Sequence, residues 1–266
     1  SVRLSPATPG FVAGASGTAG VSHPPRVAIF AENGAFAVAA FFAAAAAGCV
    51  AVPLTPELEG DRLAALLAHS ESSAVLVSST LLPRVTAVRD AVPSLRLVLS
   101  DGGEDFSPGE PTRLAPTVKR TRSSLAAIVY TSGSTGRPKG VMLTHEALVS
   151  NARAVAGYLG LTQADRTLLV LPLGYVLGLS VLITHVVAGA SLVLQRRFLF
   201  PSVVLDALAD HRCTGFYGVP ATYALLLRSA QPAGPDPEGS VALSSLRYLA
   251  QAGGPLCPEL QARICD

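Results

Sequence analysis

Residues 130–141, YTSGSTGRPKGV, combine small, hydroxylated and cationic side chains in a pattern that could bind phosphate. They directly follow the apolar run Ala126–Tyr130, which is predicted to be a buried strand. Glycines leave backbone N–H groups open to an anion, and serine and threonine hydroxyls add further donors. Lys139 adds a positive charge, and Pro138 limits the freedom of the loop just before it. These residue types together indicate a loop that cradles phosphate groups.

The lysine in this loop is unusual for the chain. Only Lys119 and Lys139 are lysines among the 20 lysine and arginine residues. Because an ammonium is a compact point charge and a guanidinium is a planar fork, the two are not interchangeable at a tight anion site. The lysine therefore suggests that a compact cation matters here, and chance placement of one lysine in a loop is the alternative.

The spacing in this loop differs from the P-loop of ATPases and GTPases, G-x-x-x-x-G-K-[ST]. Two residues separate Gly136 from Lys139, and Gly140 stands where the P-loop has its Mg²⁺-binding hydroxyl. The spacing argues against a kinase or GTPase of that class. A polar hairpin between two strands, without a phosphate, is the other interpretation of the segment.

Composition sets limits on the partners of the 266-residue chain, whose length fits one large domain or two modest ones. Net charge is +2, tryptophan is absent and the basic residues are not clustered, so we expect no nucleic-acid binding. The four cysteines, at 49, 213, 257 and 265, lack metal-type spacing. We therefore expect no metal site in this chain, free buried thiols at 49 and 213, and a cytoplasmic location, since the start of the sequence lacks the apolar stretch of a signal peptide.

Two long uncharged stretches, Ala35–Pro56 and Thr167–Gln195, raise the question of membrane insertion. Glycine and proline interrupt both, for example at Pro53 and Pro172, and divide them into shorter apolar pieces. This pattern favours strands and helices buried inside an α/β domain over a transmembrane helix, so we expect no membrane insertion.

Short apolar runs alternate with helical segments along most of the chain. This order predicts an α/β fold with mainly parallel sheets flanked by helices. Residues 1–25, Asp101–Ser124 and Gln231–Ser240 are predicted to be irregular. Strands are predicted at Val27–Phe30, Val50–Val52, Ala74–Val77, Leu95–Leu99, Ala126–Tyr130, Val141–Leu143, Leu168–Leu171, Ser191–Leu194, Gly215–Tyr217 and Arg247–Ala250. Helices are predicted at Ala35–Ala47, Leu82–Val92, His145–Tyr158, Leu177–Val187, Val203–His211, Ala221–Ser229 and Pro258–Cys265. A further helix is predicted to end at about His69, with Thr55 as its N-cap and Pro56 at its first helical position.

The glycine-rich loop resembles the phosphate-loop signature of the adenylate-forming (AMP-binding) superfamily. That superfamily includes acyl- and aryl-CoA synthetases, luciferases and the adenylation domains of peptide synthetases. Four further segments resemble the family in order and spacing, from about Arg26 to the end of the chain. They are Phe41–Pro53, Leu171–Gly178, Tyr217–Tyr223 and Leu246–Leu260.

The resemblance implies the family's N-terminal domain, built from two α/β subdomains. We expect a flexible lead-in over residues 1–25, a first subdomain with the phosphate loop over 26–155 and an incomplete second subdomain over 156–266. The family's Y-G-x-T-E segment, whose glutamate binds Mg²⁺, its ribose-binding aspartate and its C-terminal domain with a catalytic lysine do not occur in these 266 residues. A truncated domain that is inactive alone is therefore expected.

The resemblance also implies a reaction. Family members join a carboxylic acid to ATP, release Mg²⁺-pyrophosphate and mostly pass the acyl group to the thiol of CoA or of a carrier protein. ATP, Mg²⁺, a carboxylic acid and such a thiol are therefore the expected cofactors and partners, and Lys139 and Thr135 are the expected catalytic residues. The residues expected to bind the phosphates are Thr131, Ser132, Gly133, Ser134, Thr135, Gly136 and Lys139.

The acid and adenylate pocket is expected to be lined by residues in the second half of the chain. Tyr175 stands where many acyl-CoA synthetases have a histidine, and a core tyrosine is the alternative. For Gly253 and Gly254 the alternative is a strand-to-helix turn packed for its own sake, and His185 is expected to be a core residue. No acidic residue occurs between Asp165 and Asp206, which disfavours an α-amino acid substrate. The expected pocket residues are Tyr175, Gly178, Tyr217, Gly218, Val219, Gly253 and Gly254.

Two functions remain open at this stage. One is the N-terminal part of a ligase that activates an acyl or aryl acid. The other is a non-catalytic module that binds a nucleotide or acyl group, or one half of a split adenylating protein.

Overall fold

The computed structural model describes residues 24–102, 118–131, 138–196, 198, 200–229 and 243–265. The chain forms two compact units. The first ends at Ser150 and also includes Pro172–Val176, and the second comprises Asn151–Leu171 and the residues from Leu177 onward. This boundary and the boundary predicted after residue 155 fall within the same helix, and the predicted division into subdomains stays a prediction. Most of the expected lead-in and much of Asp101–Ser124 and Gln231–Ser240 lie outside the described residues.

The first unit is built on a six-stranded sheet with the order β4-β3-β1-β2-β5-β6. Neighbouring strands are parallel except for β5 and β6, which are antiparallel. The strands are β1 (Arg26–Phe30), β2 (Val50–Leu54), β3 (Ala74–Val77), β4 (Leu97–Ser100), β5 (Leu125–Thr131) and β6 (Lys139–Thr144). The helices are α1 (Ala35–Ala46), α2 (Gly60–His69) and α3 (Leu82–Val88), which continues as a 3₁₀ turn over Arg89–Ala91, and α4 (His145–Leu159), which begins in this unit.

The central strands of this sheet are buried on both faces, which explains their nearly continuous apolar sequences. All five residues of β2 are buried, including Pro53. On one face, Leu63 and Leu67 of α2 and Val85 of α3 pack against the sheet, and all three side chains are fully buried. The long uncharged stretch that begins at Ala35 is therefore a helix followed by an interior strand.

One helix start was predicted wrongly. The sequence suggested that α2 begins with Thr55 as its N-cap, but the helix begins at Gly60, after an extended Glu59 without a side-chain cap. Thr55 instead starts a turn in which its carbonyl oxygen accepts a hydrogen bond from the backbone N–H of Leu58 at 3.2 Å. Arg84 of α3 stabilises this turn, because its Nη1 donates to the carbonyl oxygen of Pro56 at 2.8 Å.

The second unit contains a four-stranded parallel sheet with the order β10-β9-β7-β8. Phe216, Leu168 and Leu208 are fully or almost fully buried at the centre of its core. The strands are β7 (Arg166–Leu169), β8 (Ser191–Leu194), β9 (Gly215–Gly218) and β10 (Tyr248–Gln251). The helices are α5 (Val176–Ala188), α6 (Pro201–Asp210), α7 (Pro220–Ser229) and α8 (Pro258–Cys265).

The predicted α/β class with mainly parallel sheets is confirmed. Every predicted strand and helix is present, and three have the predicted bounds, Ala74–Val77, Ser191–Leu194 and Pro258–Cys265. Within the described part of the chain, no helix combines the length and the apolarity that crossing a bilayer requires.

Candidate functional site

The predicted phosphate loop connects two antiparallel strands of the first unit. β5 ends at Thr131, β6 begins at Lys139, and these two residues are directly paired in the sheet. Residues 132–137 connect them and lie outside the described residues, so the predictions for Ser132, Gly133, Ser134, Thr135 and Gly136 fall there. Residues 132–137 therefore join the two strands of a hairpin. A hairpin connection can also bind phosphate, so the two interpretations of this segment are compatible.

The hairpin opens at the edge of the sheet where α/β proteins bind ligands. β5 runs parallel to β2, so Thr131 lies at the carboxyl ends of the parallel strands. Lys139 is exposed, and it forms no ion pair with any residue in the described part of the chain. An exposed ammonium and a hydroxyl suit an anionic phosphate and do not suit a metal ion.

Tyr130 fixes the base of this hairpin. It pairs with Gly140, the neighbour of Lys139. A Cβ atom on Gly140 would clash with Cγ2 of Ile128 at 2.7 Å and would touch the Tyr130 ring at 3.4 Å, so the Gly140 backbone lies close beneath both side chains. The Tyr130 hydroxyl lies 2.8 Å from Nδ1 of His69, at the end of α2. Burial raises the pKa of Tyr130, which keeps the phenol protonated.

Tyr175 belongs to the same unit through the short segment Pro172–Val176. A Cβ atom on Gly174 would lie 2.5 Å from the backbone nitrogen of Thr55 and 2.6 Å from the carbonyl carbon of Leu54. The segment therefore packs directly on the carboxyl end of β2, the strand next to β5. Tyr175 is 51% exposed, so it is not a core residue. Partial burial, together with the negative charge of Glu57, raises the pKa of Tyr175.

In the second unit, two turns meet at the carboxyl ends of β9 and β10. Gly218 pairs with Gln251 in the parallel register. Val219 follows Gly218, Gly253 lies two residues after Gln251, and a Cβ on Gly253 would lie 3.2 Å from Cγ1 of Val219. Gly253 has a φ of 88°, which favours glycine. Gly254 is exposed, and its carbonyl oxygen accepts a hydrogen bond from Nε2 of Gln251 at 2.6 Å. The structure thus brings together Gly218, Val219 and the glycine pair.

Tyr217 lies in the interior, away from this exposed edge. Its ring contacts those of His185 and Tyr248 edge to face, with centroids 5.6 and 5.7 Å away. It is 5% exposed, and burial, with the nearby Tyr248 hydroxyl, strongly raises its pKa. Gly178 is buried in the first turn of α5, two turns before His185. The described contacts join neither Tyr217 nor Gly178 to the glycine pair.

His185 is a core residue, as the sequence predicted. Its side chain is completely buried, and its Nδ1 lies 2.8 Å from the Val181 carbonyl oxygen, which can only accept a hydrogen bond. Nδ1 therefore donates, and Nε2 accepts from the Tyr248 hydroxyl at 3.1 Å. Burial lowers the pKa of His185, consistent with a neutral imidazole. The ring of Tyr248 lies directly against Gly215, where any Cβ atom would collide with it.

Sequence analysis missed two features of the candidate site. It assigned no role to His69, which contacts Tyr130 from 61 positions earlier in the chain. It also did not recognise that Gly174 packs against the backbone of β2. Among the described residues, no cluster of three or more histidine, cysteine or acidic side chains could hold a metal ion.

Most of this chain is similar in sequence to known enzymes. Residues 15–265 match the family model described as AMP-binding enzyme. A feruloyl-CoA synthase from Amycolatopsis sp. is 33% identical over 257 residues, which cover 93% of this chain and 48% of that protein. The chain thus spans about half the length of the curated relatives it matches.

Solved structures show the same similarity. The inhibitor-bound N-terminal domain of FACL13 from Mycobacterium tuberculosis superposes with a TM-score of 0.81 at 26% identity, over 92% of this chain and 61% of that one. ATP-bound MatB from Rhodopseudomonas palustris gives a TM-score of 0.77 at 26% identity, over 92% of this chain and 48% of that one.

Proposed function

Because this chain belongs to the family of AMP-binding enzymes, we propose that it is the N-terminal part of a ligase that activates a carboxylic acid with ATP. The products are an acyl-AMP and pyrophosphate, and the acyl group then passes to the thiol of CoA or of a carrier protein. The observation that carries this proposal is the Thr131–Lys139 pair, which closes a glycine-rich hairpin at the ligand-binding edge of the first sheet.

The chemistry explains why such a hairpin is needed. A carboxylate oxygen attacks the α-phosphorus of ATP, and the bond to the bridging oxygen breaks, so that pyrophosphate leaves with the electron pair. Negative charge therefore grows on the leaving group, and donors aimed at it lower the barrier. The ammonium of Lys139 and the hydroxyl of Thr131 are assigned this task, together with Ser132, Gly133, Ser134, Thr135 and Gly136. Mg²⁺, when bound with ATP, neutralises part of the phosphate charge.

An acyl or aryl acid is the proposed substrate class. The feruloyl-CoA synthase relative, by its name, joins CoA to a feruloyl group, an acyl group that carries an aromatic ring. No acidic side chain occurs between Asp165 and Asp206 to hold a substrate amine. Tyr175, Gly178, Tyr217, Gly218, Val219, Gly253 and Gly254 are the proposed pocket residues. Of these, Tyr217 would act from its buried position behind the exposed turns.

The 266-residue chain alone is proposed to have little or no adenylation activity. It corresponds to 48% of the feruloyl-CoA synthase. The family residues that bind Mg²⁺ and complete catalysis are expected outside it. Robust acid-dependent exchange of ATP with pyrophosphate by the isolated chain would contradict this proposal.

The free thiols of Cys49, Cys213 and Cys257 support a reducing compartment such as the cytoplasm.

The decisive experiment uses Lys139 variants of the full-length protein that contains this chain. A charge-assisted hydrogen bond contributes about 1.5–3 kcal/mol, so Lys139→Ala is expected to slow ATP–pyrophosphate exchange by about ten- to a hundredfold. The loss is expected with every acid, because the hairpin binds phosphate. Lys139→Arg is expected to recover only part of the rate.

Lys119→Ala is the matched control, since Lys119 is the only other lysine in these 266 residues and is also exposed. It is expected to leave the exchange rate unchanged. Full activity of Lys139→Ala, or a loss confined to some acids, would show that the hairpin is only a turn. Tight ATP binding without exchange in the full-length protein would instead favour a non-catalytic binding module.

A further inference from the structure

We propose that His69 is a positioning residue for the phosphate-binding hairpin. By holding the hydroxyl of Tyr130, it sets where Thr131 and Lys139 meet the phosphates. This inference rests on the proposed function of the hairpin, and it concerns a residue outside the glycine-rich segment.

The contact between the two residues is specific. Nδ1 of His69 and the Tyr130 hydroxyl are 2.8 Å apart, and the two rings meet edge to face with centroids 5.7 Å apart. A phenol is protonated at neutral pH, and burial raises the pKa of Tyr130 further, so its hydroxyl is available to hydrogen-bond Nδ1 of His69. The contact therefore combines a hydrogen bond with an aromatic pair.

Tyr130 links His69 to both strands of the hairpin. It directly precedes Thr131 in β5, and across the hairpin it pairs with Gly140, which directly follows Lys139. Gly140 has no room for a Cβ atom beneath the Tyr130 ring and Ile128. The ring is thus held between His69 on one side and the backbone of β6 on the other, and a shift of the ring would move both ends of the loop.

The hairpin needs such an anchor because β6 is the edge strand of its sheet. Among the residues that the structure describes, β6 pairs only with β5, and its Val141 and Met142 are 46% and 70% exposed. Few buried contacts therefore hold β6 in place. The hydrogen bond between Tyr130 of β5 and His69 of α2 is an independent restraint on the position of β5 and β6.

His69 is itself held firmly. It is the last residue of α2, and the next residue, Ser70, is 1% exposed. Nη1 of Arg26 in β1 donates to the Ser70 carbonyl oxygen at 2.9 Å, and the Ser70 hydroxyl donates to the Leu67 carbonyl oxygen at 3.0 Å. The end of α2 is therefore tied to the sheet, which makes it a fixed support for the hairpin.

The test measures steady-state kinetics of the full-length protein with His69→Ala, Tyr130→Phe and the double variant. One lost hydrogen bond corresponds to roughly a three- to tenfold change, so each single variant is expected to lower kcat/KM for ATP by about that factor. KM for the acid and the thermal midpoint are expected to stay unchanged, since His69 is exposed. The loss in the double variant is expected to be smaller than the product of the two single losses, because both variants remove the same hydrogen bond.

Arg62→Ala, at an exposed position of the same helix, is the control and is expected to behave as the unaltered protein. The inference is overturned if His69→Ala leaves kcat/KM for ATP unchanged, or if the two single effects multiply in the double variant. Lys139→Ala is measured beside them. If it impairs the use of ATP and His69→Ala does not, this inference alone is wrong. If Lys139→Ala has no effect either, the proposed function of the hairpin is wrong as well.

Discussion

Asp165 accepts hydrogen bonds from both Nε and Nη2 of Arg247, at 3.2 and 2.9 Å. Asp165 directly precedes β7 and Arg247 directly precedes β10. Thr214, which directly precedes β9, donates its hydroxyl to the same carboxylate at 2.8 Å. One carboxylate thus fastens the amino ends of three parallel strands, at the edge opposite the turns that contain Gly218 and Gly253. We expect this group to act on stability and not on catalysis.

The stability of the protein is expected to depend on pH through Asp165. Burial opposes ionisation of this carboxyl, but hydrogen bonds from Thr162, Arg247 and Thr214 outweigh it and hold the pKa below its usual value. A lowered folded-state pKa stabilises the protein above the unfolded pKa of about 3.9, and the stabilisation is lost as pH falls through the folded value. Asp165→Asn is expected to cost about 1–2 kcal/mol near neutral pH, because the charge-assisted hydrogen bonds from Arg247 are weakened while its guanidinium stays half exposed.

Urea unfolding of the unaltered protein and of Asp165→Asn, at several pH values from neutral to acidic, measures the contribution of the Asp165 carboxylate to stability. The difference in free energy of unfolding is expected to shrink as pH falls, since Asp165 itself becomes protonated. Asp90→Asn, at an exposed position, is the control and is expected to change little. A difference that stays constant down to low pH would show that ionisation of Asp165 does not stabilise the fold.

Gly174→Ala is expected to displace the segment that contains Tyr175. The added Cβ would meet backbone atoms of Leu54 and Thr55 at 2.6 and 2.5 Å, and backbone cannot move aside as a flexible side chain can. Overpacking of this kind costs about 1–3 kcal/mol. Gly157→Ala is the matched control, since nothing lies within 4 Å of its added Cβ. In the interior of α4 that change is expected to stabilise by up to about 1 kcal/mol. Equal thermal midpoints for the two variants would contradict the predicted clash.

The cysteines are expected to differ in their reaction with a maleimide or iodoacetamide. Burial raises the pKa of Cys213 to about 11 and also raises that of Cys49, and both thiols are buried. Cys257 is exposed. Because the thiolate is the reactive form, native protein near neutral pH is expected to be labelled at Cys257 well before Cys49 or Cys213. Mass spectrometry of labelled peptides measures the order, and prompt native labelling of Cys213 would contradict it.

The sequence was sufficient to predict most of the fold because buried parallel strands are apolar over nearly their whole length. Runs such as Val50–Leu54 and Ala74–Val77 are therefore easy to recognise between helices. The start of α2 was wrong because Thr55 and Pro56 look like a helix start locally. The turn they actually form is stabilised by Arg84, 28 positions from Pro56, which no local pattern reveals.

The candidate site was predictable only where a local motif marks it. The glycine-rich composition marked residues 130–141 as a candidate phosphate loop, with a hairpin as the alternative, but the direct pairing of Thr131 with Lys139 was not predicted. Contacts between distant segments left no such signal. His69 and Tyr130 are 61 positions apart, and Tyr248 reaches Gly215 only through the register of β9 and β10. Tyr217 was assigned from its neighbours in sequence, but the alternation of side chains along β9 turns its ring into the interior.

Tyr175 is expected to affect the choice of acid more than the use of ATP. It is half exposed and lies on a segment fixed to the end of β2, so Tyr175→Ala removes a side chain without opening a core cavity. Its position in the family resemblance is that of a residue at the acid pocket. In the full-length protein, Tyr175→Ala is therefore expected to change the ratio of kcat/KM values across acids of different length and ring size, with KM for ATP nearly unchanged. Tyr175→Phe, which keeps the ring, is expected to retain the original preference. An unchanged ratio across the panel of acids, or a uniform loss of ATP affinity, would rule out a role for this side chain in acid selection.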